Sequence, residues 1–173
     1  MYSQRDPRWK GELIGTSNDT MGKQGCLVCV AADIVSALVK PMNPSELNKW
    51  LTEHQGFTQG NRFVFSSLLD FGISIERYDH CVYRPAPIEE LMDNFSNGNR
   101  VALEIYFPPV SRRITHWLGL VGFVPGDLLV YDPWTLPDDY PICGLRARYS
   151  QFDADLARMI IRWIAYTLAE PAK

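Results

Sequence analysis

The sequence predicts an α+β domain in which a helical half is followed by a mostly antiparallel sheet. Residues 26–40 form one long apolar run without a helix breaker. Residues 116–131 contain two shorter apolar runs around a Pro-Gly pair, a pattern typical of a β-hairpin. Helices and antiparallel strands that occupy separate parts of a chain are characteristic of the α+β class.

The first long helix is predicted from the run CLVCVAADIVSALVK, which spans residues 26–40 and ends before Pro41. Its few polar side chains leave most of the helix surface apolar, so we expect this helix in the middle of the domain. A buried strand is the competing interpretation for the Val-rich part, but the length of the run favours a helix.

A second helix is predicted from the segment NPSE at residues 43–46. Asn43 fits the N-cap, Pro44 the first helical position and Glu46 the third, a combination that satisfies the free N–H groups of a helix start. We expect this helix to run to about Thr52. Two further short helices are predicted over residues 63–71 and 87–95.

Strands are predicted over residues 73–78, 100–107, 116–124 and 127–131. The first of these alternates apolar and polar side chains with period two, and the last two form the hairpin. The C-terminal segment, residues 153–168, fits two interpretations. It is either a helix capped by Asp153 or a final strand.

Composition excludes several classes of protein. The chain has 173 residues, of which 46% are hydrophobic, so we expect one domain over residues 1–173 with a core of its own. A net charge of -3 without a basic block argues against a nucleic-acid partner. We also expect no membrane partner and a cytoplasmic location, because the sequence has neither a membrane-spanning apolar run nor a signal peptide. Release within a phage virion on lysis would need no signal and stays open.

The four cysteines are too few for a disulfide-stabilised fold, and the Cys26-x-x-Cys29 pair suggests a metal site, a redox site or a nucleophile. A zinc site would have to combine this pair with His80 or Cys81. It lacks a second Cys pair, and adjacent residues of a strand point to opposite faces. A thioredoxin-like redox pair needs a βαβ context that the loop before Cys26 does not supply. We therefore expect neither a metal nor a cofactor.

Cys26 is the better candidate for a nucleophile because it follows Gly25 at the start of the apolar helix. The unpaired N–H groups and the dipole at a helix N-terminus favour a thiolate over a thiol. Cys29 lies one turn further inside the helix and lacks this advantage. The alternative is that both cysteines are small core residues, since free Cys is among the most buried residue types.

His116 and Asp132 form the second candidate pair. A hairpin centred on residues 125–126 places both residues at its open end, on neighbouring strands. A general base needs a partner that orients its imidazole, and a carboxylate on the next strand supplies one. Trp134 could shield the pair from water, and Trp117 could line a substrate cleft or pack in the core. Taken singly, an ordinary surface His and a turn Asp remain the alternative interpretation.

Five blocks of this sequence resemble the C39-like branch of the papain-like cysteine peptidases, which occurs in bacteria and phages. The blocks are YSQRDPRW, TMGKQGC, NPSELNKWL, THWLGLVGF and LLVYDPW, and they extend from Tyr2 to Trp134. The resemblance implies a papain-like fold, with the nucleophile at the N-terminus of a central helix that packs on an antiparallel sheet.

The resemblance also implies the roles of individual residues. By motif position, Cys26 is the nucleophile, His116 the base and Asp132 the orienting acid. Gln4 matches the glutamine that donates a hydrogen bond to the oxyanion, and Gln24 is an alternative donor.

The sequence thus predicts a cysteine peptidase or amidase that hydrolyses a peptide or a peptidoglycan-stem amide through a thioester on Cys26. The expected partner is the peptide or peptidoglycan substrate, with phage virion or tail proteins as a further possibility. The alternative is a catalytically silent papain-like module that serves a binding or structural purpose, for instance within a virion, because fold does not imply function.

Overall fold

A six-stranded antiparallel sheet forms the centre of the structure, and helices cover both of its faces. The computed structural model describes residues 1–106, 115–151 and 155–169. The helices are α1 (Met21–Gln24), α2 (Cys26–Leu38), α3 (Pro44–Glu53), α4 (Ile88–Ser96), α5 (Leu145–Tyr149) and α6 (Leu156–Met159), with a 3₁₀ helix at Phe65–Phe71. The strands are β1 (Phe57–Thr58), β2 (Arg62–Phe63), β3 (Ile73–His80), β4 (Arg100–Tyr106), β5 (Thr115–Val124), β6 (Asp127–Tyr131), β7 (Ile142–Gly144) and β8 (Ile160–Leu168). This mixture of helices with an antiparallel sheet confirms the α+β class.

The strand order of the sheet is β3-β8-β4-β5-β6-β7, and every neighbouring pair is antiparallel. The C-terminal strand β8 therefore lies inside the sheet, between β3 and β4. Strands β1 and β2 form a separate two-stranded hairpin.

Alternate side chains of the central strands enter two separate cores, as the pleat of a sheet requires. On β4, Ala102 belongs to the core beneath α2, whereas Val101 and Leu103 belong to the core beneath α4. The α2 side includes the N-terminal residues and α3, and the α4 side also holds residues of α5 and α6. The sheet is thus buried on both faces.

Helix α2 is the most enclosed helix of the first half. Eight of its thirteen residues are buried, and it packs between strand β5 and helix α3. The prediction of a central helix is confirmed, and a strand in this segment is wrong. Helix α3 begins with the predicted capping box, in which Asn43 and Glu46 exchange side-chain and backbone hydrogen bonds.

The hairpin of β5 and β6 also agrees with the sequence. Val124 pairs with Asp127 across the Pro125-Gly126 turn. Gly126 has a φ of 79°, a left-handed conformation that glycine adopts without strain. The open end of this hairpin lies at the other end of the two strands, where residues 116 and 132 are found.

The first residues of the chain pack against the segment that follows β6. The Tyr131 hydroxyl donates to the Tyr2 carbonyl and accepts from the Tyr2 N–H at 2.7 Å. The Gln4 N–H donates to the Pro133 carbonyl at 2.9 Å, and the Trp9 indole donates to the Ser3 carbonyl at 2.8 Å. These bonds hold the N-terminal segment beside the end of the sheet.

At the C-terminus the structure confirms the strand, one of the two interpretations that the sequence left open, and not the long helix. Residues 160–168 form β8, and only the four-residue α6 precedes it, capped by Asp155. Asp153 lies outside the described residues. The helix predicted over residues 63–71 is a 3₁₀ helix at Phe65–Phe71, with Gly72 as its C-cap.

Two further observations concern the short elements and the lengths of the helices. The short elements α1, β1, β2, β7 and α5 carried no recognised pattern in the sequence. Within the described parts of the chain, every helix is too short or too polar to cross a membrane.

Candidate active site

Cys26 is the first residue of α2, and the geometry before it requires glycine. A side-chain carbon at Gly25 would lie 2.4 Å from the Met21 carbonyl oxygen, closer than two such atoms can approach. Gly25 thus lets α1 turn directly into α2. The Cys26 side chain is buried, with 8% of the residue exposed. The N–H groups of the first helical turn have no partner within the helix.

His116 and Asp132 meet at the open end of the β5–β6 hairpin, as the sequence predicts. His116 is the second residue of β5, and Asp132 directly follows β6. The His116 Nε2–H donates to Asp132 Oδ1 at 2.7 Å, and both residues are buried.

Cys26 lies next to His116 and forms a hydrogen bond with its imidazole. Burial on its own lowers the pKa of His116, but the hydrogen bonds with Asp132 and Cys26 outweigh burial and raise this pKa from 6.5 to about 9. The imidazole therefore keeps its proton at neutral pH. The structure brings Cys26, His116 and Asp132 together in that order.

Asp132 receives more hydrogen bonds than the sequence suggests. Besides His116, the Trp134 N–H donates to Oδ1 at 2.8 Å, the Tyr149 hydroxyl donates to Oδ2 at 2.7 Å, and Arg148 Nε lies 2.9 Å from Oδ2. Burial opposes the ionised form of Asp132, but these donors, led by His116, outweigh burial and lower its pKa. Asp132 is therefore a buried carboxylate that stays charged.

Arg148 and Tyr149 are the residues that sequence analysis missed at this site. Both belong to the short helix α5, which packs against β6. A contact made by α5 across β7 leaves no periodic pattern in the sequence. The general requirement that a buried carboxylate be compensated could have prompted a search for an Arg, but it could not have selected Arg148.

The two predicted tryptophans occupy different surroundings. The half-buried Trp134 meets the His116 ring edge to face, with centroids 6.5 Å apart, and the Arg5 guanidinium lies 5.2 Å from the Trp134 centroid. Trp134 therefore covers the imidazole. Trp117 is buried in the core on the α2 side, with its ring 5.5 Å from that of Phe65. Its geometry matches the packing alternative.

The two candidate oxyanion donors also differ in position. Gln4 is buried, and its Nε2 donates to the Gly22 carbonyl at 3.2 Å, four residues before Cys26. Its buried Oε1 has no hydrogen-bond partner within the described residues. Gln24 is exposed at the end of α1. Of the two, only Gln4 is part of the packed structure around the start of α2.

The zinc interpretation is wrong because its ligands are separated by the sheet. Cys26 and Cys29 belong to the core on the α2 side, whereas Cys81 belongs to the core on the α4 side, and His80 is exposed. Within residues 1–106, 115–151 and 155–169, no group of three or more His, Cys, Asp or Glu side chains could hold a metal ion. The thioredoxin-like interpretation is not supported either, since helix α1 rather than a strand directly precedes Cys26.

Comparisons with known proteins give one informative result. No family model matches the sequence, and no curated protein does. The solved structures that match include a crystal structure described as a "putative C39-like peptidase" from Bacillus anthracis, with a TM-score of 0.53 and 14% sequence identity. The match covers 100% of this chain and 96% of that chain. Identity at this level shows a common fold, so the activity has to be argued from the residues of the site.

Proposed function

We propose that the protein is a papain-like cysteine peptidase or amidase in which Cys26 is the nucleophile, His116 the acid–base and Asp132 the orienting carboxylate. One observation carries this proposal: Cys26, His116 and Asp132 form a continuous hydrogen-bonded series at the N-terminus of a central helix. A nucleophile, a base within reach of it and a third group that orients the base are the parts that covalent catalysis requires. The fold it has in common with a protein described as a peptidase supports the same class.

The first half of the reaction forms a thioester. The Cys26 thiolate, paired with the protonated His116, attacks the carbonyl carbon of the amide. The carbonyl π electrons move to oxygen, which becomes an oxyanion. When this intermediate collapses, the C–N bond breaks, and His116 transfers its proton to the leaving nitrogen, which departs as an amine.

The second half restores the enzyme. His116, now neutral, removes a proton from a water molecule as the water oxygen attacks the thioester carbon. Collapse of the second intermediate breaks the C–S bond and leaves the Cys26 thiolate paired with the protonated His116, as at the start. Asp132 keeps the Nε2–H of His116 in one orientation throughout, and its own charge stabilises the imidazolium form.

The oxyanion needs hydrogen-bond donors that are already in place. The Cys26 N–H is suitable because it belongs to the first turn of α2, where no helical carbonyl accepts it. We assign the second donor to Gln4 rather than Gln24, because Gln4 is buried beside Gly22. Loss of one such donor typically costs about 3 kcal/mol of transition-state stabilisation.

For the substrate we propose an acyclic peptide amide, with a peptidoglycan stem peptide as the more specific candidate. A stem peptide would suit a protein released with phage particles, and cleavage would then yield soluble fragments from intact cell wall. A short linear peptide would be cleaved by the same chemistry. These two substrate classes are distinguished by experiment.

The test uses the purified full chain with a mixed peptide library and, separately, with peptidoglycan sacculi. Mass spectrometry reads the cleaved bonds, and an acid quench traps any acyl group on the peptide that contains Cys26. Cys26→Ala should lower turnover at least about 1,000-fold. The matched control is Cys81→Ala, because Cys81 is a buried thiol on the opposite side of the sheet from Cys26, and this variant should retain wild-type turnover.

Two outcomes would contradict parts of the proposal. Cleavage of peptides without release of soluble wall fragments would exclude the peptidoglycan role and leave the peptidase role. Binding of peptides without any acyl group on Cys26 would exclude catalysis and favour the silent binding module.

A further inference from the structure

A row of charged and aromatic side chains crosses the sheet on the same face as Cys26. Glu104 on β4 pairs with Trp117 on β5 and with Arg162 on β8, so these three residues are direct cross-strand neighbours. Trp117 belongs to the core that contains Cys26, and directly opposed residues point to the same face of a sheet. The row therefore begins one residue along β5 from His116, on the Cys26 side of the sheet, and ends at Arg162.

Arg162 is held in place on several sides. Its Nε lies 3.2 Å from Glu104 Oε2, and both of these atoms are buried. The guanidinium carbon lies 5.8 Å from the ring of Phe65 and 5.9 Å from those of Tyr78 and Trp117. The Arg162 side chain is nevertheless 26% exposed, whereas that of Glu104 is 9% exposed. Glu104 thus lies against the buried edge of the guanidinium as an ion pair without a hydrogen bond, and the outer part of Arg162 reaches the surface.

Within the part of the chain that the structure describes, the outer N–H groups of Arg162 make no hydrogen bond to the protein. Within the described residues, Glu104 is its one charged partner, and its remaining contacts are with the three aromatic rings. The N–H groups of a planar guanidinium match the two oxygens of a carboxylate. Because the Arg162 side chain is already held by its neighbours, it loses little conformational entropy when a carboxylate binds. A bound cation is disfavoured, because the negative Glu104 lies beneath the exposed positive charge.

The position of Arg162 suits a substrate residue near the cleaved bond. Adjacent strands lie about 4.8 Å apart, so Arg162 on β8 is about 10 Å from the β5 strand that carries His116. An extended peptide advances about 3.3–3.6 Å per residue. A carboxylate two or three residues from the attacked carbonyl would therefore reach Arg162.

We propose that Arg162 is a specificity-determining residue that recognises a carboxylate of the substrate, either an acidic side chain or a free α-carboxylate. This inference rests on the proposed function, because it treats the row beside His116 as part of the substrate site. It narrows the substrate class to peptides with a negative charge close to the cleaved amide.

The experiment compares pooled decapeptides that differ only in Glu or Gln at one position, each made with a free acid or an amide at the C-terminus. The first readout is the protection of Cys26 from iodoacetamide, which reports binding beside the thiol and needs no turnover. The second readout is kcat/KM for any peptide that is cleaved. The variants are Arg162→Gln and the charge-retaining Arg162→Lys. The matched control is Arg158→Gln, which removes an exposed Arg paired with Asp155 outside the row.

With the wild type and Arg158→Gln, we expect a carboxylate peptide to protect Cys26 at about tenfold lower concentration than its amide counterpart. Arg162→Gln should reduce this ratio to about one, and Arg162→Lys should give an intermediate ratio because it keeps the charge but loses the planar fork. If the Glu/Gln exchange shows the effect, Arg162 recognises an acidic side chain; if the acid/amide exchange at the C-terminus shows it, Arg162 recognises a free α-carboxylate.

Equal protection by acid and amide peptides in the wild type would overturn the assignment of Arg162, whether or not hydrolysis occurs. An unchanged ratio in both Arg162 variants would overturn it as well. Carboxylate-dependent protection without hydrolysis would uphold Arg162 and contradict the proposed peptidase activity instead. The two proposals can therefore fail separately.

Discussion

Cys26 and Cys81 are two buried thiols with opposite electrostatic surroundings. They are exposed to similar extents, 8% and 3%, on opposite sides of the sheet. Cys26 hydrogen-bonds with the imidazole of His116, a group that can take its proton. Cys81 hydrogen-bonds with the carboxylate of Asp79, which also binds Arg84 through both oxygens at 2.5 and 2.6 Å.

The consequence for Cys81 is an inert thiol. Burial and the adjacent negative charge of Asp79 raise the pKa of Cys81 from 9.0 to about 11. Beside Cys26 the neighbour is an imidazole whose own pKa is raised to about 9, so a positive charge faces the sulfur. Depth of burial is similar at the two sites. The charge of the neighbouring group is therefore the main difference between the surroundings of the two thiols.

The largest effect is expected from removal of the positive neighbour of Cys26. His116→Ala should lower the rate of iodoacetamide labelling of Cys26 at pH 7 by about 100-fold, since the imidazole no longer accepts the thiol proton. Labelling of Cys81 should not change. Peptide mass spectrometry of the alkylated chain measures all four cysteines in one sample. If iodoacetamide labels Cys26 of the wild type no faster than Cys81, the two thiols do not differ in reactivity, and the expected effect of His116 is contradicted.

A smaller effect is expected when the imidazole is kept but its carboxylate is neutralised. Asp132→Asn replaces a charge-assisted hydrogen bond by a neutral one, so labelling of Cys26 at pH 7 should fall about tenfold. The titration midpoint of His116, about 9 in the wild type, should move to lower pH, because less negative charge stabilises the imidazolium. NMR of the three histidine side chains follows this midpoint, with His116→Ala identifying the signal. An unchanged midpoint would show that Asp132 does not set the charge of His116.

The sequence predicted the parts of this site that depend on local patterns. The run from Cys26 onward is apolar and unbroken, so helix α2 could be recognised, and the Pro-Gly turn placed His116 and Asp132 at the same open end of the hairpin. Both signals are contained within about twenty residues. The prediction needed no knowledge of how distant segments pack.

The remaining parts depend on contacts between distant segments. The run MIIRWIAYTL is compatible with a helix or a strand, and its place as β8 follows from pairing with β3 and β4 on either side. Arg162 therefore could not be placed beside Glu104. For the same reason, Tyr149 and Arg148 reach Asp132 only because α5 folds back onto β6.

Loss of a single outer hydrogen bond to the site should have a modest effect. Tyr149→Phe removes the donor to Asp132 Oδ2 but leaves Arg148 and His116 in place. We expect the free energy of unfolding to fall by about 1 kcal/mol and Cys26 labelling to fall about threefold. Denaturant titration and alkylation measure the two effects. Tyr166→Phe, which removes a buried hydroxyl in the core on the α2 side, is the control and should leave labelling unchanged. Equal labelling in both variants would reduce Tyr149 to a packing residue.

The smallest expected effect reverses the comparison at Cys81. Asp79→Asn removes the negative charge beside this thiol but leaves burial, the larger cause of its raised pKa, so the pKa should fall only slightly from about 11 and labelling at pH 8 should rise about threefold. The increase in labelling stays small because Asn is not a base that could take the thiol proton. In addition, Cys81 does not begin a helix, and burial still limits the access of iodoacetamide. Labelling of Cys26 and Cys143 in the same sample provides the internal reference. If Asp79→Asn left Cys81 unchanged, burial alone would explain its inertness. Because Cys26 is buried to a similar extent, the difference in reactivity between the two thiols would then have to come from the helix N-terminus and the imidazole at Cys26. Repulsion by the Asp79 carboxylate would contribute nothing.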